Sequence, residues 1–483
     1  MAPLFPLVVV VLLLLSSSCF SSDEQADELS YMVVPTSSLK HISDGAVCFG
    51  HKVIPSANHT WSPLNRPHGP CSPINGTPAV MVEDMLLSDQ RRASYIRAEL
   101  SNGADGERGI DDHSGGGVAT DVDYSLLTTA DLGSLQQGSR TSLNSDLAAA
   151  GNSNSGGVSQ TVVIDTSSDI PWVQCLPCPS PQCHLQKDVL YDPSRSSTYA
   201  PISCGSPACA QLGASYGNGC SRSQQCQYTV SYGDGRATTG TYVTDRLTLG
   251  PNIVVPNLRF GCSHAVRGFF SDQTAGTLAL GGGSQSLLAQ TARTFGNAFS
   301  YCVPSPSTSG FLSMGGPIAA SSLFARTPLI RNPRNPTFYI VRLQAITVAG
   351  QRLNVPPAVF SAGSVMDSSM IITRLPPTAY RALRSAFRNA MRMYPLTAPR
   401  TDLDTCYDFL RFPTVRVPKI SLVFDGGAVV QLDRTAVMLD GCLAFAANPS
   451  DSAVGFIGNV QQQTYEVLYD VGGRSVGFSS GAC

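Results

Sequence analysis

The sequence carries little charge. Only 14% of its 483 residues are Asp, Glu, Lys or Arg, and 34 acidic residues nearly cancel 32 basic ones. A basic face able to neutralise phosphates is not expected, so nucleic acid is excluded as a partner. Histidine is also scarce, at seven residues, which leaves few general bases for a serine or cysteine hydrolase, and no nucleophile elbow is read. No His-Glu-x-x-His occurs, which removes the commonest metalloprotease signature. The only long apolar run is residues 7–15, too short to span a bilayer. It ends in Ser16-Ser17-Ser18-Cys19-Phe20-Ser21-Ser22, small residues of the kind that close a secretory signal. No later stretch approaches the ~18 apolar residues of a membrane helix, so stable membrane association is not expected.

Glycine, proline and cysteine are plentiful. The 44 Gly and 33 Pro imply many turns and favour a large β-rich protein over a helical bundle. Fifteen cysteines suit an exported chain. Cys19 falls in the signal, and Cys48 and Cys71 precede the main domain. The other twelve, from Cys175 to Cys483, read as a disulfide framework whose pairing is open. Cys175-x-x-Cys178 is a weak zinc or redox pattern, since only His184 and His264 are near it in sequence; no metal and no cofactor are expected. The expected location is secreted, in the cell wall or the vacuole.

Residues 23–117 differ from the rest of the chain. Pro, Ser and Asn interrupt short apolar pieces, and Asn58-His59-Thr60 and Asn75-Gly76-Thr77 are glycosylation acceptors. Residues 82–100 read as a helix of mixed charge that includes Arg91, Arg92 and Arg97, and residues 103–117 read as a flexible linker. This is the pattern of a pro-segment that covers an active site until its removal; a poorly ordered extension is the plainer alternative. From Gln160 onward, short alternating runs such as Gln227-Tyr228-Thr229-Val230 and Tyr339-Ile340-Val341-Arg342-Leu343 are separated by Gly, Asn, Asp and Pro, which predicts an all-β body. Helices are expected at 286–291 and 378–393, the second opened by Pro376-Pro377. The Pro-rich stretches 305–309 and 331–336 mark a boundary between two lobes, giving 1–22 signal, 23–117 pro-segment and linker, 118–325 N-terminal lobe and 326–483 C-terminal lobe.

Within that frame, Val162-Val163-Ile164-Asp165-Thr166-Ser167-Ser168 delivers a carboxylate and hydroxyls from an apolar β-branched run to a turn. About two hundred residues later Val365-Met366-Asp367-Ser368-Ser369 repeats the pattern. Asp-Ser/Thr-Ser alone is commonly a solvated turn. Two such units in two lobes suggest chemistry that needs a pair of carboxylates.

The chain resembles the pepsin-like aspartic proteases, and within them the plant nepenthesin-like branch. The likeness rests on Asp165 and Asp367, Trp172-Val173-Gln174-Cys175, and the Cys-rich insert 175–226 with Tyr191-Asp192-Pro193-Ser194. It extends to Tyr232-Gly233-Asp234-Gly235, Phe260-Gly261-Cys262, Ala298-Phe299-Ser300-Tyr301-Cys302, Ile457-Gly458-Asn459-Val460-Gln461-Gln462, and His68-Gly69-Pro70-Cys71-Ser72-Pro73 in the leading segment. The resemblance implies a bilobal pepsin-like fold with a few short helices. It also implies a water-mediated attack on peptide bonds by Asp165 and Asp367 sharing a proton. Thr166 and Ser368 would brace the two turns. Tyr232, Gly233 and Asp234 would form the flap, with Trp172 as partner of Tyr232. The implied partners are a protein or peptide substrate and the chain's own pro-segment, in a monomer.

Three departures bear on activity. The family carries Gly where this chain has Ser167 and Ser369. A side chain there implies either backbone strain and a displaced water, or a hydroxyl bonded to its own aspartate. The Gly-x-Gly-x-Pro turn and strand usual before the first aspartate are replaced by the linker-like stretch 148–157, so a strand is expected to be missing or poorly formed. The usual Asp-Gly-x-x-Gly-Leu-Gly becomes Ala275-Gly276-Thr277-Leu278-Ala279-Leu280-Gly281. Two readings are open: an acid-active aspartic endopeptidase made as a zymogen, and an inactive relative that binds a protein or glycan through the same fold.

Overall fold

The computed structural model describes residues 30–36, 47–52, 55, 60–67, 70–74, 82–105, 126–134, 157–179, 181–232, 235–250, 253–268, 273–305 and 307–481. The signal-like run, both glycan acceptors, Gly233 and Asp234, and residues 106–117 of the expected linker lie outside these.

Each expected lobe contains the same strand arrangement. Strand β4 (Val158–Asp165) runs parallel to Gly276–Ala279, with Asp165 opposite Ala279. That second strand also pairs antiparallel with Trp172–Gln174, the strand that follows the aspartate turn. In the other half, Ser364–Met366 runs parallel to Gly455–Ile457, which pairs antiparallel with Thr373–Leu375. Parallel strands need long crossovers, so each aspartate turn is pinned by chain about a hundred residues away in sequence. The strands are short and their β-branched or apolar residues are buried on both faces, as expected where a sheet is covered on both sides.

An eight-stranded sheet forms the N-terminal body, built on the long hairpin Ala237–Leu249 and Ile253–Arg267. A six-stranded sheet lies beneath both halves and takes strands from each: Ala298–Cys302 and Gly310–Met314 join Tyr465–Asp470 and Ser475–Ser480. The helices are few. Leu287–Phe295 begins at a Ser286 cap, its side chain accepting from Ala289, and Pro377–Ala390 begins with proline in its first turn. The body is all-β with a few short helices.

The strand expected to be missing before the first aspartate is present. Strand β3 (Leu126–Leu132) pairs antiparallel with β4 along its length, Leu126 opposite Ile164 and Leu132 opposite Val158. The glycine- and serine-rich stretch therefore comes after this strand and does not replace it.

The leading segment is woven into the body. Strand β1 (Tyr31–Pro35) pairs with Thr414–Pro418, and β2 (Trp61–Leu64) adds an edge to the six-stranded sheet beside Gly310–Met314. Between β2 and β3 comes helix α1 (Val82–Asp105). Its residues Val82, Met85, Leu86, Asp89, Ala93 and Ile96 are buried, a helical stripe pressed onto the protein. Glu83 and Asp84 in its first turn complement the helix dipole.

Six disulfides are described: Cys48–Cys71, Cys175–Cys262, Cys178–Cys183, Cys204–Cys220, Cys209–Cys226 and Cys406–Cys442. Cys175 and Cys178 are thus both oxidised and have no thiolate to offer zinc.

Candidate active site

The two aspartate turns meet across the junction of the halves. The Thr166 N–H donates to Ser368 Oγ at 3.1 Å, and the Ser368 N–H donates to Thr166 Oγ1 at 3.0 Å. Each hydroxyl passes its own proton to a carbonyl in the opposite lobe, Ser368 Oγ to Ile164 at 3.3 Å and Thr166 Oγ1 to Met366 at 3.4 Å. Both side chains are buried, so this reciprocal set has no water to replace it. It fixes two carboxylates that two separate sheets present.

Asp165 and Asp367 are both buried at the surface of the cleft. Asp165 Oδ1 accepts from the Ser167 N–H at 2.9 Å; Asp367 Oδ1 accepts from Ser369 and Met370 at 2.8 and 3.0 Å. The turns therefore hold one oxygen of each carboxylate with backbone amides and leave the other toward the cleft. Neither Ser167 nor Ser369 takes a positive φ, so backbone strain of the left-handed kind is not what serine brings here. The Ser167 hydroxyl does not bond its own aspartate; it donates to Asp367 Oδ2, across the dyad, at 3.0 Å. Ser369 Oγ is buried and has no partner among the described residues.

Polar groups beneath the dyad support it. Gln462 Nε2 donates to the carbonyl of Asp367 at 3.1 Å and Asn459 Nδ2 to that of Ser368 at 2.9 Å. The Tyr301 and Tyr469 hydroxyls are 2.8 Å apart, in a buried aromatic cluster with Phe299 and Tyr339. Burial raises the pKa of both Tyr301 and Tyr469, and the negative charge of Asp367 pushes the same way. Asn459, Gln462 and Tyr301 stand within sequence motifs that assign them no role; polar residues in otherwise apolar strand ends are the available signal.

The Trp172 Nε1–H donates to the Tyr232 hydroxyl at 2.7 Å, the pairing that the resemblance implies. Burial raises the Tyr232 hydroxyl to about 12, so it stays protonated. Three Gly-x-Ser-x-Gly patterns centre on Ser215, Ser475 and Ser479. Ser215 lies in a short 3-10 turn, and Ser475 and the buried Ser479 are on the strand Ser475–Ser480. None stands on a strand-to-helix turn, the geometry that exposes a nucleophile.

The cleft is filled by α1. Arg92 lies over the dyad: Nη2 is 2.7 Å from Asp165 Oδ1 and 3.0 Å from Asp367 Oδ1, and Nε is 3.0 Å from Asp367 Oδ2. A planar fork spanning two carboxylates suits guanidinium and no other side chain. Burial by itself would lower the Arg92 pKa, but the two carboxylates outweigh it and hold the group firmly protonated. On either side of Arg92 the helix is fastened further. Arg97 Nη2 donates to Asn448 Oδ1 at 2.7 Å and its guanidinium lies 5.0 Å from the centre of the Phe456 ring. Ala93 and Ile96 pack with Phe338, Ile340, Val365, Met370 and Phe456. Val82, Met85 and Leu86 pack with Ile371, Ile372, Leu403 and Leu439. Sequence reading places Arg92 on a helix but does not join it to the dyad.

Comparison with known proteins gives the family. Residues 152–316 match the family model described as xylanase inhibitor N-terminal, and residues 338–480 match the one described as xylanase inhibitor C-terminal. An aspartyl protease family protein of Arabidopsis thaliana is 35% identical over 495 residues, covering 99% of this chain and 98% of that one. The chain belongs to the pepsin-like aspartic protease family, in its plant, nepenthesin-like branch. The family includes aspartic proteinase nepenthesin-2 of Nepenthes gracilis, 34% identical over 67% of this chain and 74% of the relative. It also includes the Arabidopsis protein named aspartic protease in guard cell 2, 39% identical over 67% and 70%. Among solved structures, basic 7S globulin from soybean superposes with a TM-score of 0.55 at 20% identity, over 74% of this chain and 92% of that chain. At that identity the likeness speaks for the fold alone. The Thr166–Ser368 brace and the Trp172–Tyr232 hydrogen bond join residues that the resemblance names.

Proposed function

We propose that the chain is the zymogen of a secreted aspartic endopeptidase that hydrolyses peptide bonds at acid pH. The observation that carries this reading is the pair of buried carboxylates, Asp165 and Asp367, held symmetrically by the Thr166–Ser368 brace. In this reading the two carboxyl groups divide the roles of general base and general acid. The ionised member takes a proton from a water held between them while the other donates to the scissile carbonyl. Water oxygen bonds to the carbonyl carbon, the C–N bond breaks, and the amine leaves with a proton.

Helix α1 is the pro-segment in this reading. Arg92 occupies the space that water and the scissile bond need and neutralises the charge that activates the water. The full chain is therefore silent until α1 leaves. Retention of both carboxylates and the brace favours a protease over a binding module built on the same fold, since binding alone requires neither. The substrate is a protein or peptide in an extended conformation, and the working species is a monomer.

The test is cleavage of a denatured protein by the processed chain across about pH 2 to 7, with Asp165→Asn and pepstatin as controls. Acid-optimal cleavage abolished by both is expected. A folded, processed chain that cuts nothing at any pH contradicts the reading.

A further inference from the structure

Resting on the protease reading, the cleft wall also holds a polar contact that the dyad chemistry does not use. Asp89 lies one helical turn before Arg92 and is buried, at 2% exposure. It accepts at Oδ1 from the Ile371 N–H at 2.8 Å and at Oδ2 from the Ile372 N–H at 3.0 Å. Ile371 and Ile372 follow Asp367 by four and five residues, so these amides line the same cleft as the dyad. Arg374 is buried nearby, attracts the Asp89 charge, and is bonded to Asp402 through Nη2 at 2.5 Å. Its Nε–H has no partner among the described residues.

When α1 leaves, two adjacent amides are uncovered in an apolar wall. Once a substrate covers this wall again, an N–H left without an acceptor is costly, so an occupant that satisfies both is favoured. A carboxyl presents two acceptor oxygens. A carboxamide presents one, and turns an N–H toward the other amide; an apolar side chain presents none. We propose that the Ile371 and Ile372 amides, beside Arg374, form a substrate subsite that selects an Asp or Glu side chain near the scissile bond. One helical turn, at 1.5 Å per residue, and the ~3.3 Å rise of an extended peptide place that side chain roughly one to two residues from the cut. Asp89 stands in for this substrate carboxyl, as Arg92 fills the place of the reacting centre. Burial raises the Asp89 carboxyl to about 7.

The test uses the full chain after processing at acid pH and peptides built on one cleaved sequence. Asp, Asn and Leu are placed in turn at each of the four positions on either side of the cut. At one position Asp is expected to raise kcat/KM about tenfold over Asn and over Leu, chiefly through a lower KM. No position at which Asp exceeds Asn would overturn the subsite. Should no peptide be cut, the protease reading fails by itself and the cradle is tested by binding. A labelled peptide of residues 82–105 is then added to the full chain carrying Asp89→Asn and Arg92→Ala. The Asp89 peptide is expected to bind about tenfold tighter than its Asp89→Asn version; equal Kd values contradict the cradle.

Discussion

Ser167 stands beside the first aspartate but acts on the second. Its hydroxyl donates to Asp367 Oδ2 at 3.0 Å and so engages an oxygen that the attacking water needs. Ser167→Gly is expected to raise kcat by roughly three- to tenfold, equivalent to about 1 kcal/mol or slightly more off the barrier. Single-turnover kinetics on the processed chain would show it, and an unchanged or lower kcat would remove Ser167 from the account. Thr166→Ala works in the other direction. It leaves the buried Ser368 N–H without its acceptor, at a cost of roughly 1–3 kcal/mol, and lets the two turns move apart. Thermal melting should show the loss of stability, and kcat should fall with little change in KM. At this scale, the site was legible wherever a short motif carried it: Asp165, Thr166, Asp367, Ser368, Trp172 and Tyr232 sit in local patterns. Arg92 was not, because its partners lie 73 and 275 residues away and no spacing rule links a helix face to two distant turns.

Asp89 gives helix α1 a response to pH. Its carboxyl is raised from 3.8 to about 7 in the docked helix, chiefly by burial. A raised pKa means that docking takes up a proton. The stability this contributes is fully present below about 4 and is lost as pH rises through about 7, a difference on the order of 4 kcal/mol. The melting temperature of the full chain should therefore fall between about pH 5 and 7.5, and Asp89→Asn should flatten that slope. An identical slope in both proteins would contradict the role given to Asp89. The existence of α1 was readable from its mixed charge and period, and its start at Val82 agrees. Strand β3 is hidden in the sequence because the glycine- and serine-rich stretch after it reads as a linker, so the all-β pattern starts only at Gln160. Its run Leu126-Leu127-Thr128-Thr129-Ala130-Asp131-Leu132 carries the strand signal.

Across the whole molecule, the leading segment is part of the fold as well as a cover. Strand β2 completes the six-stranded sheet, β1 pairs with Thr414–Pro418, and α1 fills the cleft. A bilobal β architecture was legible because the Asp-Thr/Ser-Ser unit occurs twice and Pro-rich breaks fall between. The sheet that joins the halves was not, since its strands come from three separated parts of the chain. Arg92 is where these scales meet, one side chain that binds both lobes through the dyad and holds the leading segment in place. The most direct measurement is the initial rate at which full-length protein, before any processing, cuts a fluorogenic peptide at about pH 4 and 6. The account predicts that Arg92→Ala cuts at least tenfold faster than the unaltered chain at both values, and that adding Asp165→Asn abolishes the gain. Equal initial rates with and without Arg92, or activity that survives Asp165→Asn, would contradict it.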